Sequence, residues 1–201
     1  MALTFYYDFT SSYSYLAVMR MEDAAAEAGV EVVWRPFLLG PIFADAGLGA
    51  TPNLRSPAKA DFMWHDIARR AMHRGMPFTK PAVFPQRSVA AGRAALALGD
   101  AERPAFSRAV YRCVFVEGRD QAEPDVLADA AREAGLDPDR IAAGAQDPAA
   151  KAALFAAVDE AKEHGLFGAP SFVTTGGERF WGDAQLEDAL SWEASGRLAG
   201  T

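Results

Sequence analysis

The stretch that most constrains the fold is Tyr6 to Ala17, which reads YYDFTSSYSYLA. An alternating apolar run enters it from Leu3, three small hydroxyl residues follow, and apolar residues then recur at helical spacing. This pattern predicts a strand, a tight turn and the start of a helix within about a dozen residues. Ser11 lies at the turn and has two candidate roles there. It can cap the helix, or it can present its O–H group to an anionic ligand at the helix N-terminus.

The elements around this stretch indicate an α/β arrangement. The first helix is predicted over about 12–28, with Gly29 ending it, and a second strand is predicted over about 30–37. A strand, a helix and a strand in this order favour a right-handed parallel crossover. Residues 38–55 are rich in turn-forming residues and predict a long irregular connection, of a kind that is more often functional than accidental.

The middle of the chain, 57–164, contains helical patterns and no strand candidate. A helix is predicted over 57–75, and four further helical segments follow it. Strand patterns return only after this block, where Gly176-Gly177 predicts a hairpin between two strands and a last helix follows. We therefore interpret 57–164 as an all-helical insertion in one smaller α/β unit, and residues 1–201 as a single domain.

The composition of the chain argues against several classes of protein. Half of the 201 residues are hydrophobic, so a core can form without disulfides or metals. The net charge of −7 argues against nucleic acid as a partner, because no basic stripe is present to neutralise phosphates. The sequence has no apolar run long enough to cross a bilayer and no signal-peptide pattern at its start. We therefore expect a cytoplasmic protein with no membrane partner.

The sequence contains no motif for metal or redox chemistry. Cys113 is the only cysteine, so neither an intramolecular disulfide nor a Cys-x-x-Cys motif can exist. It falls on the apolar stripe of a helix predicted around 106–114, which favours a buried structural thiol. The three histidines lack zinc-ligand spacing, so we predict no metal site.

The opening stretch resembles that of a known family, the 2-hydroxychromene-2-carboxylate isomerases, through the motif Asp8-Phe9-x-Ser11-x-Tyr13-Ser14-Tyr15-Leu16-Ala17. These enzymes are relatives of kappa-class glutathione transferases in the DsbA-like branch of the thioredoxin fold. In that family the Ser matching Ser11 lies beside the glutathione sulfur and is usually followed by Pro, where this chain has Ser12. The resemblance implies an α/β thioredoxin-like fold (βαβ…ββα), with 57–164 as its helical insertion.

Three further segments extend the resemblance and imply ligand contacts. Asn53, in the long connection, and Lys59, in Pro57-Ala58-Lys59, match positions where the family contacts glutathione. Their residue types alone favour a turn residue and a solvated surface lysine. The segment Gly168-Ala169-Pro170-Ser171-Phe172-Val173 resembles the cis-proline segment of the fold. It implies that Pro170 is cis and that the Ala169 backbone faces the Ser11 turn, where a peptide-like ligand could pair with it.

The last family signature is Phe-Trp-Gly-x-Asp-Arg-Leu, and this chain has Phe180-Trp181-Gly182-Asp183-Ala184-Gln185-Leu186. The family carboxylate, which contacts the glutamyl end of glutathione, aligns with Ala184. Asp183 lies one position earlier, at the start of the last predicted helix. It is therefore a candidate glutathione contact, with helix capping as the alternative.

Together these segments imply a glutathione-dependent isomerase acting on 2-hydroxychromene-2-carboxylate or a similar aryl pyruvate in aromatic-compound catabolism. Glutathione is the implied cofactor, and Ser11 is the implied catalytic residue. No general base neighbours Ser11 in the sequence, so its hydroxyl is better interpreted as a hydrogen-bond donor than as a nucleophile. Candidates to line the pocket for the small aromatic substrate, each with core packing as its alternative, are Phe9, Tyr13, Trp64 and Phe84.

Two other functions stay open from the sequence. One is a kappa-class-like glutathione transferase or peroxidase that uses the same glutathione site. The other is a glutathione- or peptide-binding module of the thioredoxin fold that has no turnover. A second copy of the chain, forming a homodimer, is a candidate partner for any of the three.

Overall fold

The computed structural model describes residues 2–49 and 55–200. Within this part of the chain one four-stranded sheet forms, from β1 (Ala2–Tyr7), β2 (Glu31–Pro36), β3 (Ser171–Val173) and β4 (Arg179–Trp181). The strand order is β2-β1-β3-β4, so β1 and β3 are central. β1 pairs in parallel with β2, and β3 pairs antiparallel with both β1 and β4. This topology confirms the predicted α/β arrangement of a parallel crossover followed by a hairpin.

The described residues also form ten helices. In chain order they are α1 (Ser12–Val18), α2 (Met21–Ala28), α3 (Leu39–Asp45), α4 (Pro57–His73), α5 (Val89–Ala97), α6 (Arg103–Phe115), α7 (Pro124–Glu133), α8 (Pro138–Gln146), α9 (Pro148–Glu163) and α10 (Leu186–Ser195). A 3-10 turn, Asp183–Gln185, precedes α10. α4 to α9 all lie between β2 and β3 in the chain; their treatment as an insertion in a single domain stays a prediction.

The predicted single helix over 12–28 is wrong, because the chain leaves helical geometry between α1 and α2. Arg20 has φ −127° and ψ −1°, outside the helical region. A tertiary contact accompanies the break, since Arg20 Nη2 donates to the Asp183 carbonyl at 2.7 Å. The predicted end is confirmed, because Gly29 closes α2 with φ 66°, a left-handed conformation that favours glycine. The helix dipole that points its positive end at the Ser11 turn is therefore that of α1 alone, a helix of 7 residues.

Two other helices were absent from the sequence interpretation. α3 lies inside the connection that was predicted to be irregular, and its first N–H group, at Leu39, donates to the Asp8 carboxylate at 2.7 Å. α8 begins at Pro138, and the Asp137 side chain accepts from Asp139 N at 3.0 Å. An aspartate before a first-turn proline is a helix-start signal, so α8 was predictable locally. α3 was not, because the group that caps it lies 31 residues earlier in the chain.

The core behind β1 is largely aromatic. Phe5 stacks on Phe172 of β3 at 5.4 Å between ring centroids and meets the edge of Trp34 at 5.2 Å. Beyond the strand, Phe9 stacks on Tyr111 of α6 at 5.3 Å. Cys113 is 2% exposed on the same helix, which confirms the buried thiol. Within 2–49 and 55–200, no helix has both the length and the apolar content to span a membrane.

Candidate functional site

Ser11 lies at the N-terminal end of α1, in the turn that follows β1. Its backbone is extended, with φ −83° and ψ 115°, and its N–H group donates to the Asp8 carbonyl at 2.7 Å. The Ser11 side-chain oxygen accepts a hydrogen bond from Ser14 N at 3.1 Å. This is the geometry of a helix N-cap. Ser12 takes the first helical position, where the family usually has Pro, and α1 begins there without it.

The Ser11 hydroxyl also reaches the segment that precedes β3. Its O–H group donates to the Ala169 carbonyl at 2.8 Å, and the Ala169-Pro170 peptide bond is cis, as expected. The structure therefore brings together two predicted site segments that are 158 residues apart. Because the hydroxyl accepts from Ser14 and donates to Ala169, its one proton is already engaged in a hydrogen bond.

Asp8 is the buried carboxylate that supports this turn. Its side chain accepts from Thr10 N at 2.9 Å, Thr10 Oγ1 at 3.0 Å, Ser88 Oγ at 3.0 Å and Leu39 N at 2.7 Å. Burial raises the pKa of Asp8, while these four hydrogen bonds lower it in part. One side chain thereby joins the Ser11 turn, the start of α3 and the start of α5. From the sequence Asp8 was recognised only as part of a motif, although Asp-x-Thr is a recognisable turn signal.

The helical block holds the backbone of the same turn. Tyr111 of α6 donates from its hydroxyl to the Asp8 carbonyl at 2.6 Å. Gln121, in the loop after α6, donates from Nε2 to the Phe9 carbonyl at 3.1 Å. Buried carbonyl groups need such partners, because a lost hydrogen bond there costs about 1–3 kcal/mol. The backbone that leads to Ser11 is therefore held by residues 103 and 112 positions away from the carbonyls that they bind.

An open groove lies between α4 and the chain segment 78–84. Its volume is about 730 Å3. Trp64 and Phe84 line it, with their ring centroids 4.7 Å apart in an edge-to-face arrangement. Two other predicted pocket residues do not line the groove: Phe9 is 2% exposed in the core, and Tyr13 donates from its hydroxyl to Asp66 at 3.0 Å. The core-packing alternative is therefore correct for Phe9.

The sequence of the chain matches a known protein family over most of its length. The family of DSBA-like thioredoxin domains matches residues 2–191. A 2-hydroxychromene-2-carboxylate isomerase from Sphingobium xenophagum is 30% identical over 185 residues, which are 92% of this chain and 94% of that protein. The chain belongs to the DsbA-like 2-hydroxychromene-2-carboxylate isomerase family.

Solved structures of this family and its relatives share the fold. A 2-hydroxychromene-2-carboxylate isomerase superimposes with a TM-score of 0.78 at 24% identity, over 92% of this chain and 91% of that one. The cytosolic disulfide reductase DsbM from Pseudomonas aeruginosa, solved with GSH, has a TM-score of 0.67 at 25% identity, over 96% of each chain. The predicted thioredoxin-like fold is thus confirmed.

Asp183 is the family-derived site residue whose surroundings are least suited to a ligand. Its side chain is 1% exposed, and its carboxylate lies 3.1 Å from Arg20 Nη2 and 2.6 Å from Arg74 Nη1. A third guanidinium, on Arg70, lies 3.8 Å away. Neither the 3-10 turn nor α10 has a side-chain cap, so the capping alternative is wrong. A glutathione contact stays a prediction, and a ligand amine would have to compete with arginines.

The two remaining predicted contacts lie in or near the connection before α4. Lys59 is exposed in the first turn of α4, after Pro57 at its start. Asn53 lies outside the described residues. α4 itself is tied to α1 by the hydrogen bond between Tyr13 and Asp66. The glutathione role of Lys59 and of Asn53 stays a prediction.

Proposed function

We propose that the protein is a glutathione-dependent isomerase that acts on 2-hydroxychromene-2-carboxylate or a similar aryl pyruvate. The observation that carries the proposal is the Ser11 hydroxyl, held 2.8 Å from the carbonyl that precedes cis-Pro170. It occurs in a chain that is 30% identical to an isomerase of that name. The relative solved with GSH supports glutathione as the thiol cofactor.

The residues around Ser11 fit a peptide-like thiol. The Ala169 carbonyl is a backbone acceptor in the position where an extended ligand can add to the fold as a strand. In the structure, this carbonyl accepts a hydrogen bond from the Ser11 hydroxyl. A ligand N–H group that donates to Ala169 would release the Ser11 hydroxyl, which could then donate to sulfur. Ser11 and Ala169 would in this way act together, one on the sulfur and one on the ligand backbone.

When bound, glutathione would supply a thiolate that adds reversibly to an electrophilic double bond of the substrate. An ordinary thiol has a pKa of about 8.5, so most of it is protonated at neutral pH. A hydrogen bond donated by Ser11 to sulfur favours the charged form and lowers that pKa. Lys59 and Asn53 are proposed to bind the rest of the cofactor, with Asp183 as a weaker candidate.

The cysteine content of the chain supports a role other than dithiol–disulfide exchange. The turn reads Ser11-Ser12-Tyr13-Ser14, and the family resemblance implies that Ser11 and Ser14 match the two cysteines of the Cys-x-x-Cys motif of its redox relatives. Burial raises the pKa of the single cysteine, Cys113, to about 11. A thiol with that pKa is almost wholly protonated at neutral pH and reacts slowly.

The test is steady-state turnover of 2-hydroxychromene-2-carboxylate with and without glutathione, in the natural protein and in Ser11→Ala. Turnover should require glutathione. Ser11→Ala removes a charge-assisted hydrogen bond worth about 1.5–3 kcal/mol, so turnover near neutral pH should fall about ten- to a hundredfold. Raising the pH should restore part of it, because more thiolate then forms without the hydroxyl.

The matched control is Ser12→Ala, which removes a hydroxyl from the next position of the same turn and should change turnover little. Equal turnover with and without glutathione would overturn the proposal. So would an unchanged thiol titration midpoint for glutathione bound to Ser11→Ala, because Ser11 would then be a helix cap alone. Release of a glutathione conjugate in place of the isomer would assign the transferase alternative.

A further inference from the structure

The groove beside α4 carries a lysine held against an aromatic wall. Lys80 Nζ lies 5.2 Å from the centroid of the Trp64 ring. This is a cation–π arrangement, in which the negative face of the ring attracts the ammonium group. Phe84 meets Trp64 edge to face at 4.7 Å, so the lysine and two aromatic rings form one continuous surface. The groove volume of about 730 Å3 falls within the usual range of small-molecule sites, about 300–1,000 Å3.

We propose that this groove binds an aryl carboxylate, with its ring against Trp64 and Phe84 and its carboxylate on Lys80. The inference deepens the proposed function and rests on it, because it assigns the substrate's acid group to a residue. An ammonium group over a ring keeps N–H donors directed away from that ring. A flat aromatic acid can therefore stack on the wall and accept a hydrogen bond from Lys80.

The other side chains of the groove suit such a ligand. Ala60 and Ala68 of α4 line it with small side chains, which leave room beside Trp64 for a planar ring. Asp61 and His65 also line it and lie one helical turn apart, with 3.4 Å between Asp61 Oδ1 and His65 Nδ1. Among the described residues that line the groove, Lys80 is the only lysine or arginine. It is therefore the natural partner for an anionic group, while Asp61 opposes one.

The groove and the Ser11 turn share a structural support. Phe84 forms one wall of the groove, and Ser88 follows four positions later in the chain. Ser88 donates to the Asp8 carboxylate at 3.0 Å, and Ser11 N donates to the Asp8 carbonyl at 2.7 Å. On the other side, α4 is tied to α1 through Tyr13 and Asp66. Both walls of the groove are thus fixed to the segments that hold Ser11.

Calorimetry with two stable probes tests the binding mode in the absence of any thiol. The probes are 2-naphthoate and its uncharged counterpart, 2-naphthamide. The natural protein should bind the acid about three- to fivefold more tightly than the amide, the range of a partly exposed ion pair. Lys80→Met keeps the apolar stem of the side chain and should abolish this preference. Asp61→Asn should strengthen binding of the acid, because it removes an opposing charge.

Two matched variants separate the groove from general surface effects. Lys151→Met removes an exposed lysine on α9, outside the groove, and should leave the preference for the acid intact. Trp64→Leu should weaken both probes, whereas Trp181→Leu, at an exposed tryptophan outside the groove, should weaken neither. Equal affinities for acid and amide in the natural protein would overturn the proposal. An equal loss of the preference for the acid in Lys151→Met and in Lys80→Met would also overturn it.

Turnover provides a readout that depends on the proposed function. Lys80→Met should raise KM for the hydroxychromene carboxylate about three- to fivefold and leave kcat within about twofold, because Lys80 binds the acid and not the reacting carbon. If kcat falls instead, Lys80 serves the chemistry and the proposal is wrong. If the probes bind as expected but glutathione does not support turnover, the proposed function fails and the aryl carboxylate site stands.

Discussion

The two ends of α1 are held by two buried carboxylates in different ways. At the N-terminal end, Asp8 is 2% exposed and accepts hydrogen bonds from neutral groups, two backbone N–H groups and two hydroxyls. Beyond the C-terminal end, Asp183 is also 2% exposed, but Arg20 and Arg74 contact it directly. The same residue type is therefore stabilised once by dipoles and once by full charges.

This difference distinguishes the turn that carries Ser11 from the ion-paired region around Asp183. Guanidinium groups neutralise Asp183 and connect the 3-10 turn before α10 to Arg20, between α1 and α2, and to Arg74, at the end of α4. All four groups that hydrogen-bond to the Asp8 side chain are neutral, whereas Asp183 contacts guanidinium groups. A thiolate bound at the Ser11 turn would therefore find no cation among the hydrogen-bond partners of Asp8. Its stabilisation would have to come from hydroxyl and backbone donors, which gives Ser11 its importance.

The largest effect on stability is expected for Asp183→Asn. It would leave two partly buried guanidinium groups without their carboxylate, which costs about 3 kcal/mol in the free energy of unfolding. Urea unfolding measures it, and the control is Glu187→Gln, which removes the exposed partner of Arg20 and should cost less than about 1 kcal/mol. Equal losses in the two variants would show that the charge on Asp183 has no special role.

A smaller loss of stability, with a larger loss of turnover, is expected for Asp8→Asn. The amide can replace one carboxylate oxygen as an acceptor, but its NH2 group would face donors, so about 2 kcal/mol should be lost. The turn that positions Ser11 should loosen, and turnover should fall about tenfold or more. Asp183→Asn, assayed well below its melting temperature, should lower turnover less than Asp8→Asn does, and a loss of glutathione affinity in it would support the weaker proposal that Asp183 contacts the cofactor. The opposite pattern would place the functional carboxylate at Asp183.

The pH dependence of stability should give the smallest of the three effects. Burial raises the pKa of Asp8 above 3.8 in the folded protein. Above pH 3.8 the unfolded chain loses this proton first, so the free energy of unfolding should fall as pH rises towards the folded pKa, and then level off. Asp8→Asn removes this titration. Urea unfolding at matched pH values should show a steeper fall for the natural protein, and parallel curves would contradict the assignment.

Local signals in the sequence were sufficient for much of the fold and for the centre of the site. The hydroxyl-rich turn after an alternating apolar run indicated the N-cap at Ser11, and Gly176-Gly177 indicated the hairpin between β3 and β4. The family resemblance added cis-Pro170 and its approach to Ser11, which the structure confirms. Each of these features is set by a short stretch of chain, in which residue type and spacing decide the backbone geometry.

Other parts of the site had no local signal. Asp8 receives the Ser88 hydroxyl from 80 residues away, and Arg20 reaches Asp183 across 163 residues. Lys80 lies in an irregular segment, and nothing in its sequence neighbourhood indicates Trp64 as its partner. Such contacts depend on how helices and loops pack, so spacing along the chain does not encode them directly.

The sequence by itself therefore determined the order of the strands, most of the helices, the capped turn at Ser11 and the family. Hydrophobic periodicity and capping act over a few residues, which is the range that a sequence pattern can display. Only the tertiary structure decided where α1 ends, what Asp8 and Asp183 bind and which side chains line the groove. The physical reason is that buried charges and partly buried rings take their partners from whatever the packed chain brings near them, irrespective of distance in sequence.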